Sequence, residues 1–144
     1  MAKSKKIIAY FDGACRGNPG PGSYGYHIDF LGFSNKSIDR ESIESYGLVE
    51  EGTDTTNNRA EMSGLYWLLK KLNKEVSEDE RDKVIIRGDS LLVINGVTGK
   101  WQKKANKDLW KKIEKYAHEE YTYEQIPRAQ NKRADALANK ALDE

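Results

Sequence analysis

The chain has 144 residues, of which 38% are hydrophobic and 33% are charged, and its formal net charge is +1. This length suits one domain with a hydrophobic core, so we expect residues 1–144 to form a single domain. The composition excludes a disordered or fibrous chain.

Cys15 is the only cysteine, which excludes an intrachain disulfide and a zinc site built from cysteines. Apolar runs of signal-peptide or membrane-span length are absent, so we expect a cytoplasmic protein without a membrane segment.

Three strand-like segments open the chain. Ile7–Phe11 is rich in β-forming residues and is followed by Asp12-Gly13, whereas the glycine- and proline-rich stretch Gly17–Gly22 predicts a loop. Ser23–Phe33 and Ile43–Glu50 have the composition of two further strands. The three segments together predict an antiparallel meander.

A helix is predicted next, from Asn57 to Asn73. Its leucines recur at helical spacing and mark one apolar face, and Thr56 and Asn57 are suited to cap its first turn. The leucines are Leu65, Leu68, Leu69 and Leu72. After a charged connection, Val84–Ile86 is a short β-branched run that is typical of a central parallel strand. A helical crossover between parallel strands is therefore expected.

The last third of the chain is predicted to be mainly helical. Ser90–Val97 and Lys107–Glu120 have helical patterns, Tyr121–Ile126 resembles a strand that ends at Pro127, and Arg133–Leu142 has an alanine- and leucine-rich helical pattern. The element order βββαβααβα indicates an α/β architecture with one mixed sheet covered by helices.

Two aspartates follow strand-like runs. Asp12 follows the first strand, and Asp89 follows Val84–Ile86 after an arginine and a glycine. We therefore place both at the carboxyl ends of strands, where α/β sheets carry their sites. Either aspartate taken alone is equally well explained as a turn former or a helix cap. The shared pattern on two strands of one sheet favours a common site.

Two further acids lie at the starts of predicted helices. Glu61 is one turn before Leu65 on the apolar face, where an unpaired carboxylate is costly and needs a cation, a proton or nearby water. Asp135 lies in line with Ala138 and Leu142 in the last helix. The alternative for both is that the acid only complements the positive end of the helix dipole. For Asp135 taken alone, that alternative is the better one.

The four acids together are candidates for one pocket with only oxygen ligands. Such pockets bind Mg²⁺, and two ions about 3.5–4 Å apart can stabilise both the attacking and the leaving oxygen of a phosphoryl displacement. The histidines lie outside these motifs. We interpret His27, predicted in a strand, and His118, predicted in a helix, as structural or surface residues.

Four motifs resemble those of ribonuclease H, type 1, and occur in that family's order. They are Tyr10–Gly22, Thr56–Glu61, Arg87–Ser90 and Asn131–Ala138, and they span nearly the whole chain. The resemblance implies the ribonuclease H-like fold, a five-stranded mixed sheet with three antiparallel and then two parallel strands, flanked by helices. It also implies an endonuclease that cuts the RNA strand of RNA–DNA hybrids and leaves 5′-phosphate and 3′-hydroxyl ends.

The resemblance further assigns the metal and the catalytic residues. The matching acids are Asp12, Glu61, Asp89 and Asp135, which would serve both in catalysis and as ligands of two Mg²⁺ ions, with Mn²⁺ as a substitute metal. No small-molecule cofactor and no obligate protein partner are expected.

Contacts with the hybrid are also implied by the resemblance. The matching positions are Ala14, Cys15, Asn18, Thr56, Asn57 and Asn58. They touch the minor groove and its 2′-hydroxyls, by which a protein distinguishes RNA from DNA. An asparagine amide suits this task because it both donates and accepts hydrogen bonds. Asn18 also suits a tight turn and Asn57-Asn58 a helix cap, and both roles can hold together.

Between Lys100 and Lys115 the chain has seven lysines and two tryptophans. This segment is either a surface that follows phosphates, with aromatic platforms, or a solvated helix face. Its position in the resemblance favours the first interpretation. The substrate contacts would then be Lys100, Trp101, Lys103 and Lys104.

The chain departs from many members of the family in two places. It lacks a longer basic insertion between the central helices, so hybrid binding should be weaker or depend on other lysines. The segment Arg128–Asn131 also lacks the loop histidine that is thought to help product release. This second departure bears on turnover more than on the chemistry, because metal binding needs only the acids.

Two other functions stay open on the sequence alone. One is a non-catalytic module that binds hybrids or other duplexes on the same fold. Concentrated negative charge beside a polyanion does not help such a module, because carboxylates repel phosphate. The other is a related nuclease such as a DNA resolvase or exonuclease, which the asparagine motifs disfavour.

Overall fold

The structure is a computed structural model that describes residues 5–32, 41–49 and 54–144. Its strands and helices are β1 Lys6–Cys15, β2 Gly22–Leu31, β3 Ile43–Leu48, α1 Asn57–Glu75, β4 Val84–Gly88, α2 Leu91–Val97, α3 Lys107–Glu114, β5 Thr122–Gln125 and α4 Lys132–Asp143. The five strands form one sheet in the order β3-β2-β1-β4-β5. β1, β2 and β3 are antiparallel, and β4 and β5 run parallel to β1. The predicted fold class is confirmed.

Helix α1 covers one face of the sheet with the predicted leucine stripe. Leu65, Leu68, Leu69 and Leu72 are 0% exposed and pack in one core cluster with side chains from the central strands. Truncation of one such leucine to alanine in a well-packed core costs about 2–5 kcal/mol. The stripe therefore fixes the rotation of α1, and with it the direction in which the first turn of the helix points.

Helix α4 covers the other face at β2 and comes unusually close to it. A Cβ atom on Gly25 would lie 2.6 Å from the carbonyl oxygen of Ala134 and 2.7 Å from Cβ of Leu137. Only glycine fits there. This close approach brings the first turn of α4 to the same end of the sheet as the carboxyl end of β4.

Strand β1 is longer than predicted. It continues past Asp12 to Cys15 in its pairing with β2, whereas its parallel pairing with β4 ends at Tyr10 and Arg87. The expectation that Asp12 stands at the end of its strand was therefore wrong. Gly13 does not break the strand; it allows the backbone of α1 to approach, since a Cβ there would lie 2.2 Å from the carbonyl carbon of Ala60. Asp12 lies just beyond the end of the parallel ladder.

Helix α3 is shorter than predicted and ends at Glu114 instead of Glu120. The chain then turns, with the Tyr121 N–H donating to the carbonyl oxygen of His118, so that Tyr121 is buried before β5 begins. His118 is therefore not in a helix, contrary to expectation.

The remaining elements differ from the predictions mainly at their ends. The charged connection after α1 contains a short 3₁₀ helix, Glu78–Lys83, that the sequence pattern did not predict. Phe33 and Glu50, predicted as strand ends, lie outside the described residues. Among the described residues, every helix is too short or too polar to cross a lipid bilayer.

Candidate active site

Three of the four predicted acids meet at one end of the sheet. Asp12, Glu61 and Asp89 each place a carboxylate oxygen within 4.8 Å of those of the other two. Asp12 and Asp89 converge because β1 and β4 are neighbouring parallel strands. Glu61 reaches them because α1 lies almost against the backbone of β1: a Cβ on Gly64 would be 2.5 Å from the carbonyl oxygen of Asp12.

Asp135 reaches the same site from the first turn of α4. It lines, with the three clustered acids, a cleft of about 330 Å³ that we call the active-site cleft. It is not part of the tight three-acid group. The structure thus places all four predicted acids in one cleft, with Asp135 on its wall.

Burial and mutual repulsion raise the pKa values of two of these acids. Asp12 is 3% exposed, and burial together with the charge of Asp89 raises its pKa to about 8, against an opposing hydrogen bond from the Gly13 N–H of 2.9 Å. Burial and the charge of Asp12 raise the pKa of Glu61 to about 10. Such shifts mark a site that is built for a compensating positive charge.

Asn131 supports the cluster, and the sequence did not reveal this role. Its side chain is 1% exposed, and its Nδ2 donates to Oδ2 of Asp89 at 3.0 Å and to the carbonyl oxygen of Phe11 at 2.9 Å. The only available signal was the place of Asn131 at the start of the last motif. A helix-cap residue would have been the ordinary interpretation.

Arg128 lines the active-site cleft and was also missed as a functional residue. Its side chain is 83% exposed, and its guanidinium Nη2 lies 4.0 Å from Oδ1 of Asp135. It belongs to the short 3₁₀ turn Arg128–Gln130 before α4. The segment that lacks the expected histidine therefore brings a permanent cation to the site.

The predicted substrate contacts divide between two depressions. Ala14, Cys15 and Asn57 line the active-site cleft. Asn18 lies beside them, because its Oδ1 accepts a hydrogen bond of 3.0 Å from the Asn57 N–H. Thr56 caps α1, with its side chain accepting from the Arg59 N–H at 3.2 Å.

Cys15 helps to join the segments that carry these residues. Its thiol lies 2.9 Å from the carbonyl oxygen of Thr55 and 2.7 Å from that of Gly17. Gly20 and Thr55 exchange two backbone hydrogen bonds of 2.8 and 3.0 Å. The glycine-rich loop and the start of α1 therefore form one connected surface beside the acids.

The second depression, which we call the lysine–tryptophan groove, is lined by Asn58, Trp101, Lys103 and Lys104 among others. Trp101 is 47% exposed. Lys103 is partly engaged elsewhere, because its Nζ lies 2.8 Å from Oε1 of Glu114 and 5.5 Å from the centre of the Trp110 ring. Lys100, predicted as a contact, is exposed but lines neither depression.

The chain is similar to known proteins over nearly its whole length. The sequence profile of the RNase H family matches residues 4–143. Ribonuclease HI of Halobacterium salinarum is 36% identical over 96% of this chain, and the chain spans 65% of the length of that relative. The chain belongs to the ribonuclease H family. The predicted family and enzyme class are confirmed.

Solved ribonuclease H structures share the fold. The N-terminal RNase H domain of a Mycobacterium tuberculosis protein has 32% identity and a TM-score of 0.77, with 97% of this chain and 95% of that chain covered. LC11-RNase H1, solved in complex with an RNA/DNA hybrid, has 32% identity and a TM-score of 0.73, with 96% and 97% covered.

The ribonuclease H family is metal-dependent, and the acids of this chain fit a metal. The three clustered acids and Asp135 offer only oxygen ligands, which hard divalent cations prefer. Oε2 of Glu61 is buried and has no hydrogen-bond partner among the described residues. A buried carboxylate oxygen left without a partner is costly, and a metal ion would satisfy it.

Proposed function

We propose that the chain is an endoribonuclease that hydrolyses the RNA strand of RNA–DNA hybrids, with two bound Mg²⁺ ions, and leaves 5′-phosphate and 3′-hydroxyl ends. The observation that carries the proposal is the convergence of Asp12, Glu61 and Asp89 within 4.8 Å in an open cleft. Membership of the ribonuclease H family supports the same chemistry. Mn²⁺ has similar ligand preferences and should substitute.

The residues of the site would have different roles in catalysis. Asp12, Glu61 and Asp89 would hold the metal ions, and Asp135 would complete the ligands from the cleft wall. The bound ions would supply an activated water and charge stabilisation at the phosphate. Asn131 fixes the orientation of Asp89, and burial of Asp12 limits the contact of its carboxylate with bulk water.

Recognition of the RNA strand is assigned to the connected surface beside the acids. Asn18 and Asn57 present amides there, with Thr56 and the backbone of Ala14 and Cys15 next to them, and Asn58 presents its amide to the lysine–tryptophan groove. Amides can donate to and accept from 2′-hydroxyls and base edges. The hybrid bound by LC11-RNase H1 supports a hybrid as the substrate of this related chain.

The lysine–tryptophan groove is the proposed contact for the other strand. Trp101 offers an exposed ring, and Lys103 and Lys104 offer positive charge for phosphates. Lys100 is exposed close by in sequence and would contribute long-range attraction. The ion pair between Lys103 and Glu114 reduces the charge available, so Lys104 should contribute more to binding than Lys103.

A non-catalytic hybrid-binding module is the alternative function. It is disfavoured by the electrostatics of the site, since the clustered acids raise each other's pKa and would repel a phosphate unless a cation is bound. A binding surface would gain affinity by losing these acids. Their convergence is therefore best explained by metal-dependent chemistry.

The test is cleavage of an end-labelled RNA strand annealed to DNA, with Mg²⁺ or with EDTA. We expect cleavage only with the metal, and its loss in Asp12→Asn, which keeps the size of the side chain but removes a ligand charge. Asp82→Asn is the control, because Asp82 is exposed in the 3₁₀ helix after α1. Cleavage in EDTA, or full activity of Asp12→Asn, contradicts the proposal.

A further inference from the structure

The first turn of α1 lies where three depressions of the surface meet. Asn57 lines the active-site cleft, Asn58 lines the lysine–tryptophan groove, and Arg59 lines a third depression between α1 and α3. Consecutive residues of a helix point about 100° apart, so three neighbours can face three sides. The third depression, which we call the α1–α3 groove, has a volume of about 460 Å³. The substrate residues predicted from the sequence do not line it.

Cationic and aromatic side chains line the α1–α3 groove. Lys70 comes from α1 and Lys112 from α3, and Tyr66 and Trp67 form an aromatic wall. Nζ of Lys70 lies 5.1 Å from the centre of the Trp67 ring, and Tyr24 stacks on the same ring at 5.5 Å. The ring is thus engaged within the protein, and it supports an ammonium group at the rim of the groove.

The charges in the groove are not balanced. Arg59 is neutralised by Asp108, at 2.8 Å, and the guanidinium lowers the pKa of that carboxyl to about 2. Among the described residues that line the groove, Asp108 is the only acid. Lys70 and Lys112 form no ion pair with an acid in the described part of the chain. Within the described lining of the groove, two positive charges therefore remain for an external anion.

The groove is also joined to the proposed substrate surface. The guanidinium of Arg59 donates a hydrogen bond of 3.0 Å to Oδ1 of Asn106, and Asn106 lines the lysine–tryptophan groove. From Arg59 to Lys70 the wall of the groove follows α1 for about 16 Å, at 1.5 Å per residue. That length corresponds to about five base-pair steps of 3.4 Å along the axis of a duplex.

We propose that the α1–α3 groove binds the sugar–phosphate backbone of the hybrid beyond the active site, with Lys70 and Lys112 each contacting a phosphate. This inference rests on the proposed function and adds a second region of substrate contact to it. Recognition there should be independent of sequence, because lysines contact phosphates and the Trp67 ring is already occupied. The groove would supply phosphate contacts that a longer basic insertion supplies elsewhere.

The test compares cleavage of hybrids of different lengths by the full chain and by the double variant Lys70→Met, Lys112→Met. Methionine keeps an unbranched apolar stem against Trp67 but has no charge. The substrates are the shortest hybrid that is cleaved and the same hybrid extended by about five base pairs at one end or at the other. The control is Lys83→Met with Lys140→Met, since Lys140 lies over Tyr46 and Lys83 lies beside Asp82, both away from the groove.

We expect the double variant to raise KM several-fold for the hybrid extended at one of its two ends, with kcat unchanged. The shortest hybrid should be cleaved equally by both proteins. The slope of log affinity against log salt for that extended hybrid should fall by about 2, since each phosphate contact contributes about 0.9. The control variant should behave as the unaltered chain.

Two results overturn the groove as a binding region. One is that the double variant and the unaltered chain have equal KM values for every hybrid. The other is that the double variant raises KM by the same factor for the shortest and the extended hybrids. Lys112→Met alone, which leaves the Lys70–Trp67 contact in place, should give about half of the change in salt slope. If the unaltered chain cleaves no hybrid, the proposed function fails instead. The groove is then tested by fluorescence anisotropy of labelled hybrids of increasing length, where an unchanged affinity of the double variant for all of them overturns it.

Discussion

The side-chain amide of Asn131 joins Asp89 to the first strand. Its Nδ2 donates at 3.0 Å to Oδ2 of Asp89 and at 2.9 Å to the carbonyl oxygen of Phe11. Asn131 directly precedes α4, so its buried amide links the start of this helix to β1 and to the residue after β4. Asn131 is a positioning residue for one of the three clustered acids.

Asn131→Ala should lower kcat by about 10- to 100-fold, the range seen when a partner of a metal ligand is removed. It should also lower the free energy of unfolding by about 1–3 kcal/mol, because the Phe11 carbonyl loses its buried donor. Steady-state kinetics and thermal unfolding measure the two effects. Asn73→Ala is the control, since the Asn73 side chain is exposed and far along α1 from the site. Normal kcat in Asn131→Ala would show that Asp89 does not need this contact.

The metal-free protein should become less stable as pH rises. The pKa values of Asp12 and Glu61, about 8 and about 10 in the fold, lie above their ordinary values. The folded state therefore holds more protons than the unfolded state between pH 4 and those values, and stability falls across that window by up to about 1.4 kcal/mol per pH unit for each group. Below pH 4 Asp12 and Glu61 are protonated in both the folded and the unfolded state, so these two groups cause no loss of stability there.

Thermal unfolding in EDTA from pH 5 to pH 9 measures this effect. Asp12→Asn should reduce the decrease in stability between pH 5 and pH 9. Added Mg²⁺ should stabilise the unaltered chain more at pH 9 than at pH 5. Glu119→Gln, a change at an exposed acid, should leave the slope as it is. A metal-free protein whose stability is constant or rises from pH 5 to pH 9 would contradict the account of the buried acids.

Arg128 lines the active-site cleft, where we expect its exposed guanidinium to donate to a substrate phosphate. Arg128→Ala should therefore reduce kcat/KM by roughly ten-fold or more, since one charge-assisted hydrogen bond contributes about 1.5–3 kcal/mol. The melting temperature should not change, because the side chain is 83% exposed and its nearest acid, Asp135, is 4.0 Å away. Arg128→Lys should recover part of the activity by keeping the charge. Unchanged kinetics in Arg128→Ala would place this residue outside the substrate contacts.

Gly64→Ala should separate α1 from β1 and lower both stability and activity. The new Cβ would meet the carbonyl oxygen of Asp12 at 2.5 Å, so the helix must shift and Glu61 moves with it. Overpacking of this kind costs about 1–3 kcal/mol. Denaturant unfolding and cleavage assays measure the change, with Lys74→Ala at an exposed residue of α1 as the control. Activity that survives at full level would mean that the position of Glu61 tolerates a shift of the helix.

Much of the fold could be predicted because each element has a clear local pattern. The leucine stripe correctly predicted α1, and the β-branched run before Asp89 correctly predicted β4. The ends of elements could not be predicted where tertiary contacts decide them. The apolar pattern of α3 continued to Tyr116, but the chain turns there so that Tyr121 can be buried.

In the site as well, local patterns could be predicted and tertiary contacts could not. Glu61 could be predicted from physics, because an acid on an apolar helical face needs a compensating charge. Asp135 depended on resemblance, since an acid in a first helical turn is ordinary. The role of Asn131 comes from its contact with Asp89, which is 42 residues away in sequence. The role of Arg128 comes from its place in the lining of the active-site cleft, which several segments of the folded chain form together. Neither residue type, nor its spacing, carries that information.

The central claim is that the acid cluster directs metal-dependent cleavage of RNA within a hybrid. The most direct measurement labels both strands of one RNA–DNA hybrid and analyses the fragments and their end groups after incubation with Mg²⁺. We predict fragments from the RNA strand only, with 3′-hydroxyl and 5′-phosphate ends, and no fragments in EDTA or with Asp12→Asn. Cleavage of the DNA strand, cyclic phosphate ends on the RNA, or cleavage that persists without metal would contradict the account.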